Sequence, residues 1–230
     1  MKQIALDIGL ASGPTLGNFV AGPNQAALRH LEVWVGATGF AGAARRSPVP
    51  TYLWGVQGSG KSHLLKAVRQ AVQEQGADFG WMDAGTPEAQ EFSESWSMLL
   101  MDDVHLYTTA QQQAAFAWFV NAQTHQLGLL AAGFLPPADL PLREDLRSRF
   151  GWGHVFELHL LSDPERRAVL RQAADARGVF LGDEVMDFML TRFSRDLGSL
   201  MELLELIDGY ALQSKRAVTI PLIKAMMENA

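Results

Sequence analysis

The chain has 230 residues and a formal net charge of −6, with an isoelectric point near 5.5. This acidic balance argues against broad binding to a nucleic-acid backbone, which requires a basic face. The sequence contains no cysteine, so disulfides and thiolate zinc sites are excluded, in keeping with a cytoplasmic protein. No apolar run approaches the ~20 residues that span a bilayer, and no signal peptide is visible. We therefore expect a cytoplasmic protein without a membrane partner.

The first pattern along the chain is a glutamine followed by alternating apolar residues, Gln3, Ile4, Leu6 and Ile8. An extended segment of this kind can lay its apolar side chains into the groove of a partner. A frayed terminus or an edge strand explains the same pattern, and the residues alone leave these alternatives open. Helical periodicity then begins at about Asn24.

The stretch Thr51–Ser62 carries the strongest motif. From Gly55 onward, GVQGSGKS fits the phosphate-loop pattern G-x-x-x-x-G-K-[ST] at every fixed position, between a β-prone run and an amphipathic helix. Glycines let backbone N–H groups point at a phosphate, and the helix start adds its positive end. Lys61 is expected to reach the β- and γ-phosphates and Ser62 to ligate Mg²⁺. The predicted nucleotide-binding residues are Gly55, Gln57, Gly58, Ser59, Gly60, Lys61, Ser62 and His63.

A second motif is the apolar run Ser97–Met101 followed by Asp102 and Asp103. Such a run suits a strand buried on both faces of a parallel sheet, and its carboxyl end lies where open α/β sheets bind ligands. After a phosphate loop, Asp102 is predicted to hold Mg²⁺, directly or through water, and Asp103 to orient an attacking water. His105 is predicted to pack or to lie on the surface.

Strands and helices alternate up to about Leu161, and only helices follow. Further strands are predicted over Asp78–Met82, Gln126–Ala132 and His154–Leu160. Helices are predicted over Thr86–Glu94, Ala110–His125 (with Val120 facing inward) and Arg143–Phe150, and then near Glu165–Arg177, Asp183–Phe193, Leu197–Ser214 and Leu222–Glu228. This order predicts an α/β fold, a parallel sheet flanked by helices, with a small all-helical second domain.

Two further segments resemble the AAA+ superfamily and, within it, the family of the replication initiator DnaA and its related regulators. Phe19–Asn24, FVAGPN, is similar to the segment that packs around adenine in that family, which implies nucleotide contacts for Phe19, Val20 and Asn24. Leu146–Gly153, LRSRFGWG, is similar to the arginine-finger motif, with Arg149 at the finger position. The resemblance covers nearly the whole chain. It implies a tail over residues 1–14, an AAA+ domain over 15–161 and a helical lid over 162–230.

The resemblance also implies a negative regulator of replication initiation. Regulators of this family bind ADP, attach to the DNA-loaded sliding clamp and insert an arginine finger into ATP-bound DnaA, which then hydrolyses its ATP. The position of Gln3, Ile4, Leu6 and Ile8 is similar to that of the clamp-binding peptide. The implied ligands are ADP or ATP with Mg²⁺. The implied partners are DnaA, the β-subunit sliding clamp of DNA polymerase III and a second copy of the chain. No basic helix-turn-helix segment follows the predicted lid in this sequence, so we expect DNA contact only through the clamp.

Two positions depart from the family pattern. Aligned on the Pro136-Pro137 pair, the polar residue of sensor 1 falls on Gly133-Phe134. The sensor 2 arginine falls near Gly198, with Arg195 as the nearest substitute. We therefore expect bound nucleotide, with ADP resident, and weak or absent hydrolysis by the chain itself.

Two other functions stay open. An active AAA+ ATPase of the helicase-loader type would show appreciable turnover. A direct DNA-binding replication factor would need a local basic patch, for which the candidates are Arg45, Arg46, Arg143, Arg147 and Arg149.

Overall fold

The computed structural model describes residues 13–36, 48–87, 90–193 and 197–228. Its strands are β1 (Thr51–Trp54), β2 (Asp78–Met82), β3 (Trp96–Met101), β4 (Gly128–Gly133) and β5 (His154–Glu157). Its helices are α1 (Gln25–Gly36), α2 (Lys61–Glu74), α3 (Thr109–His125), α4 (Glu144–Phe150), α5 (Asp163–Ala176), α6 (Asp183–Arg192), α7 (Leu197–Ser214) and α8 (Ile220–Glu228). The segment Gln3–Ile8 and the arginines Arg45, Arg46 and Arg195 lie outside the described residues.

The five strands form one sheet in the order β2-β3-β4-β1-β5, and every neighbouring pair is parallel. Trp54 of β1 is in register with Gly133 of β4, and Met101 of β3 with Ala131 of β4. The carboxyl ends of β1, β4 and β3 therefore lie side by side at one edge. Ligands of open parallel sheets bind at this edge. The predicted parallel sheet is confirmed.

Both faces of the sheet are buried. On one face, Leu99 and Met101 pack with residues of α3 and α4. On the other face, Met98 and Leu100 pack with residues of α1 and α2. Successive side chains of a strand point to opposite faces, so a strand covered on both sides is apolar throughout. This explains why the run before Asp102 carries no alternation.

The chain divides into two compact units, residues 13–160 and residues 161–228. The second unit is the helical one, and its core is formed by buried residues of all four helices, among them Leu170, Met186, Leu204 and Ile223. Helix α5 begins with a capping box, in which Ser162 and Glu165 each accept a hydrogen bond from the backbone N–H of the other.

Two local predictions are wrong. The described residues between Thr86 and Glu94 contain no helix, because Thr86 and Asp83 close a turn: the Thr86 hydroxyl donates to Asp83 Oδ1 at 2.9 Å and accepts from the Asp83 backbone N–H at 3.1 Å. Val120 is 41% exposed rather than inward-facing. Apolar residues are spread around all sides of α3. The sequence pattern therefore could not identify the face of the helix on which Trp118 and Phe119 are buried.

Candidate functional site

The phosphate loop joins β1 to α2 at the carboxyl edge of the sheet. Its three glycines, Gly55, Gly58 and Gly60, have φ values of 149°, 81° and 98°, which L side chains rarely adopt. A Cβ on Gly55 would lie 2.2 Å from the Leu158 carbonyl oxygen, and one on Gly60 would lie 2.6 Å from the Phe19 ring. Glycine is therefore required at both of these positions by backbone conformation and by space.

Lys61 is the first residue of α2 and is only 7% exposed. Its Nζ donates to the carbonyl oxygens of Gly55 at 2.8 Å and of Val56 at 2.9 Å. Burial lowers the pKa of Lys61, and the charges of Asp103 and Asp102 partly offset this effect. Within the described residues, the buried Ser59 Oγ has no hydrogen-bond partner. An unpaired hydroxyl beside a buried ammonium suits an anion that carries several acceptor oxygens.

The two acids after β3 differ in their surroundings. Burial raises the pKa of the Asp102 carboxyl, whereas a hydrogen bond from the Ser62 side chain lowers it. Asp102 Oδ1 also accepts the backbone N–H of Asp103 at 3.0 Å, and Asp103 itself adopts a left-handed conformation with φ 49° and ψ 41°. The predicted metal ligands Ser62 and Asp102 are thus neighbours. No group of three or more His, Asp or Glu side chains that could hold a metal occurs in the described part of the chain.

The segment before α1 packs against the start of α2. The Phe19 ring lies over Gly60, and its centroid is 5.5 Å from that of the His63 ring. The His63 Nε2 donates to the Thr15 carbonyl oxygen at 3.1 Å, and burial lowers the pKa of this imidazole. Val20, next to Phe19, is partly buried. These residues place aromatic surface beside the phosphate loop, as a site for a nucleotide base requires.

Asn24 has a different environment from Phe19. It is buried, its Nδ2 donates to the His159 carbonyl oxygen at 2.9 Å, and its Oδ1 accepts the His159 backbone N–H at 2.8 Å. The amide therefore ties the start of α1 to the segment that follows β5. Its side-chain hydrogen bonds go to the backbone, and the proposed contact of Asn24 with a nucleotide stays a prediction.

The residues at the expected sensor 1 position offer no polar side chain. A Cβ on Gly133 would lie 2.3 Å from the Tyr52 hydroxyl oxygen, which is fixed because it donates to the Leu135 carbonyl oxygen at 2.8 Å. Phe134 is 42% exposed and cannot form a hydrogen bond through its side chain. In the helical unit, Gly198 is the second residue of α7.

Arg149 lies on α4 in an aromatic setting. Its guanidinium carbon is 4.5 Å from the centroid of the Phe116 ring and 5.1 Å from that of the Trp152 ring. Among the described residues Arg149 forms no ion pair, and its buried Nε has no hydrogen-bond partner. Arg143, by contrast, pairs with Asp145 at 2.6 Å. Arginine stacked on aromatic faces keeps its charge available, because a ring orients it without neutralising it.

No helix in the described ranges is both long enough and apolar enough to cross a lipid bilayer.

Comparison with known proteins supplies the context of this site. A family model described as "Hda, lid domain" matches residues 163–227. An uncharacterised protein of Haemophilus influenzae is 31% identical over 239 residues, covering 98% of this chain and 98% of that protein.

Two solved structures share the fold. Domain III of the Thermotoga maritima replication initiation protein DnaA superposes with a TM-score of 0.74 at 21% identity, over 96% of this chain and 98% of that one. AMPPCP-bound DnaA from Aquifex aeolicus superposes with a TM-score of 0.65 at 23% identity, over 86% of this chain and 66% of that one. The predicted fold, an AAA+ domain followed by a helical lid, is confirmed.

Proposed function

This chain belongs to the Hda family of DnaA-related AAA+ replication regulators, and from this membership we propose that it stops initiation by making DnaA hydrolyse its ATP. The observation that carries the proposal is Arg149. It is held against Phe116 and Trp152 and has no carboxylate partner in the described part of the chain. An oriented arginine without an anion of its own is suited to an anion brought by a partner.

The chain itself binds ADP or ATP at the phosphate loop. Lys61 and the unpaired Ser59 hydroxyl favour a phosphate group there, and the Aquifex relative of the same fold was solved with AMPPCP. Ser62 and Asp102 would hold Mg²⁺ together with phosphate oxygens and water. When bound, Mg²⁺ neutralises phosphate charge. Phe19 and His63 would border the base.

Arg149 acts in trans on the ATP that DnaA carries. Its guanidinium keeps a fixed charge, and its planar fork matches two phosphate oxygens at once. Charge that develops on the transferring phosphoryl group is stabilised by such a donor. The rings of Phe116 and Trp152 restrict the side chain before the partner arrives, which reduces the entropy lost on docking.

The segment Gln3–Ile8 would bring the protein to the DNA-loaded clamp. Its support is the sequence pattern and its similarity to the clamp-binding peptide of related regulators. An apolar side chain at every second position of an extended segment can fill alternate pockets of a groove. Tethering to a clamp raises the local concentration of the regulator where DnaA acts on DNA.

The test is the rate of ATP hydrolysis by ATP-loaded DnaA in the presence of DNA-loaded clamp. Wild type should accelerate hydrolysis. With Arg149→Ala the acceleration should be at least about tenfold smaller, since arginine fingers contribute ~10³–10⁵ in rate. Arg147→Ala, which removes the same charge from the same helix, should retain it. Gln3→Ala should lose the part that depends on the clamp, whereas Lys2→Ala should not. Equal effects of Arg149→Ala and Arg147→Ala would overturn the role of Arg149.

The direct DNA-binding alternative is tested by a gel shift at physiological salt. With a net charge of −6, we expect no shift of duplex DNA unless the clamp is present. A shift by the protein alone would favour that alternative.

A further inference from the structure

His105 lies at the carboxyl edge of the sheet, close to the acids that follow β3. It belongs to the 3₁₀ turn Val104–Leu106, directly after Asp102 and Asp103. Because β4 lies between β3 and β1, Phe134, which follows β4, lies between these acids and the phosphate loop. The His105 Nδ1 accepts the Phe134 backbone N–H at 3.3 Å, and the two ring centroids are 5.9 Å apart.

This hydrogen bond determines which nitrogen of the ring can donate. A backbone N–H can only donate, so Nδ1 is unprotonated and the neutral imidazole carries its proton on Nε2. Within the described residues, Nε2 has no hydrogen-bond partner. Burial lowers the pKa of His105, and the charges that act on it are those of Asp103, Lys61 and Asp102. The ring is therefore a neutral donor within electrostatic reach of the phosphate-loop lysine.

The residues that would otherwise supply a polar group cannot do so. Gly133 has no room for a side chain beneath the Tyr52 hydroxyl, and Phe134 offers only its ring. We propose that His105, through its Nε2–H, contacts the terminal phosphate of a bound nucleoside triphosphate and so sets the preference of this site between triphosphate and diphosphate. The inference rests on the proposed nucleotide site, and it assigns the sensing of the third phosphate to the turn that follows β3 rather than to the end of β4.

The test is the affinity of the full chain, with Mg²⁺, for ADP and for a non-hydrolysable ATP analogue. A hydrogen bond to a charged phosphate changes affinity by about ten- to a hundredfold. His105→Phe keeps a ring but removes the donor. It should lower the affinity for the analogue by about tenfold and the affinity for ADP by less than about twofold. His105→Gln, which keeps a donor, should retain most of the preference. Leu106→Ala, at the exposed neighbour, should change neither affinity.

Lys61→Ala separates this inference from the proposed nucleotide site. If Lys61→Ala leaves both affinities unchanged, the phosphate loop does not bind nucleotide and the nucleotide part of the proposed function fails. If Lys61→Ala removes both affinities while His105→Phe changes ADP and analogue equally, or changes neither, only the role of His105 is overturned. Thermal unfolding of each variant verifies that it is folded.

Discussion

Asp102 illustrates, at the scale of single residues, how the burial of a carboxyl group affects stability. Burial raises the pKa of Asp102 in the folded protein above the ordinary value of 3.8. In the pH window between 3.8 and this raised pKa, the folded state binds more protons than the unfolded chain. The free energy of unfolding therefore falls as pH rises through this window. We expect Asp102→Asn to stabilise the nucleotide-free protein above the window and to lose this advantage as pH falls towards 3.8. Urea unfolding in a chelator at several pH values measures this difference. A gain independent of pH would contradict it.

Asn24 is expected to be a structural residue whatever its relation to nucleotide. Its amide makes two hydrogen bonds with the His159 backbone, and a buried group left unpaired costs ~1–3 kcal/mol. We expect Asn24→Ala to lower the free energy of unfolding by about 2–3 kcal/mol. The control is Asn121→Ala, whose amide donates to Ala117 at an exposed position, and which should change stability by less than about 0.5 kcal/mol. Similar effects of the two variants in urea unfolding would refute the role of Asn24.

The glycine-rich loop between β1 and α2 was predictable because its requirements are local. Gly55, Gly60 and Lys61 stand at fixed spacings, and a short stretch of chain contains the whole requirement. The partner of Asn24 lies 135 positions away in the sequence, and the contact between His105 and Phe134 spans 29 positions. Neither leaves a local pattern. His105 was predicted to pack or to lie on the surface, because its hydrogen bond with Phe134, which fixes its tautomer, forms only once β3 and β4 are neighbours.

At the scale of elements, two glycines give a matched prediction, because one is crowded by its neighbours and the other faces open space. Gly133→Ala in β4 should cost about 1–3 kcal/mol, because its Cβ would lie 2.3 Å from the Tyr52 hydroxyl oxygen. Gly209→Ala in α7 meets nothing within 4 Å and should stabilise the helical unit by about 0.5–1 kcal/mol, since alanine restricts the unfolded chain and favours helix. Urea unfolding measures both variants. Destabilisation by Gly209→Ala, or none by Gly133→Ala, would contradict the packing described.

Most elements followed from sequence because burial imposes their pattern. β3 is apolar throughout, as a strand between two helical layers must be, and α5 begins at the Ser162 box. The predicted helix that the described residues do not contain also has a physical explanation. The predicted helix at Thr86 gave way to a turn closed by side-chain hydrogen bonds to Asp83, and these bonds compete with helix formation.

At the scale of the whole molecule, the chain combines a parallel sheet that carries a phosphate-loop motif with an arginine stacked on two aromatic rings. The parallel sheet, the helical unit and the family were all accessible from the sequence. The contact of Arg149 with Trp152 is local, three residues along the chain, whereas its contact with Phe116 was not accessible because it forms only through the packing of α4 on α3. Because Gly133 and Phe134 leave the sensor 1 position apolar, we expect little hydrolysis of the chain's own nucleotide.

The most direct measurement asks whose ATP is hydrolysed. Labelled ATP is loaded on DnaA in one reaction and on this protein in another, and a single turnover is followed with both proteins and DNA-loaded clamp present. We predict that the label on DnaA is hydrolysed faster when this protein is added and that Arg149→Ala reduces this increase at least about tenfold. The label on this protein should stay intact. Hydrolysis of that label at DnaA-like rates, lost in Lys61→Ala, with no effect on the label carried by DnaA, would contradict the proposal and favour an active ATPase.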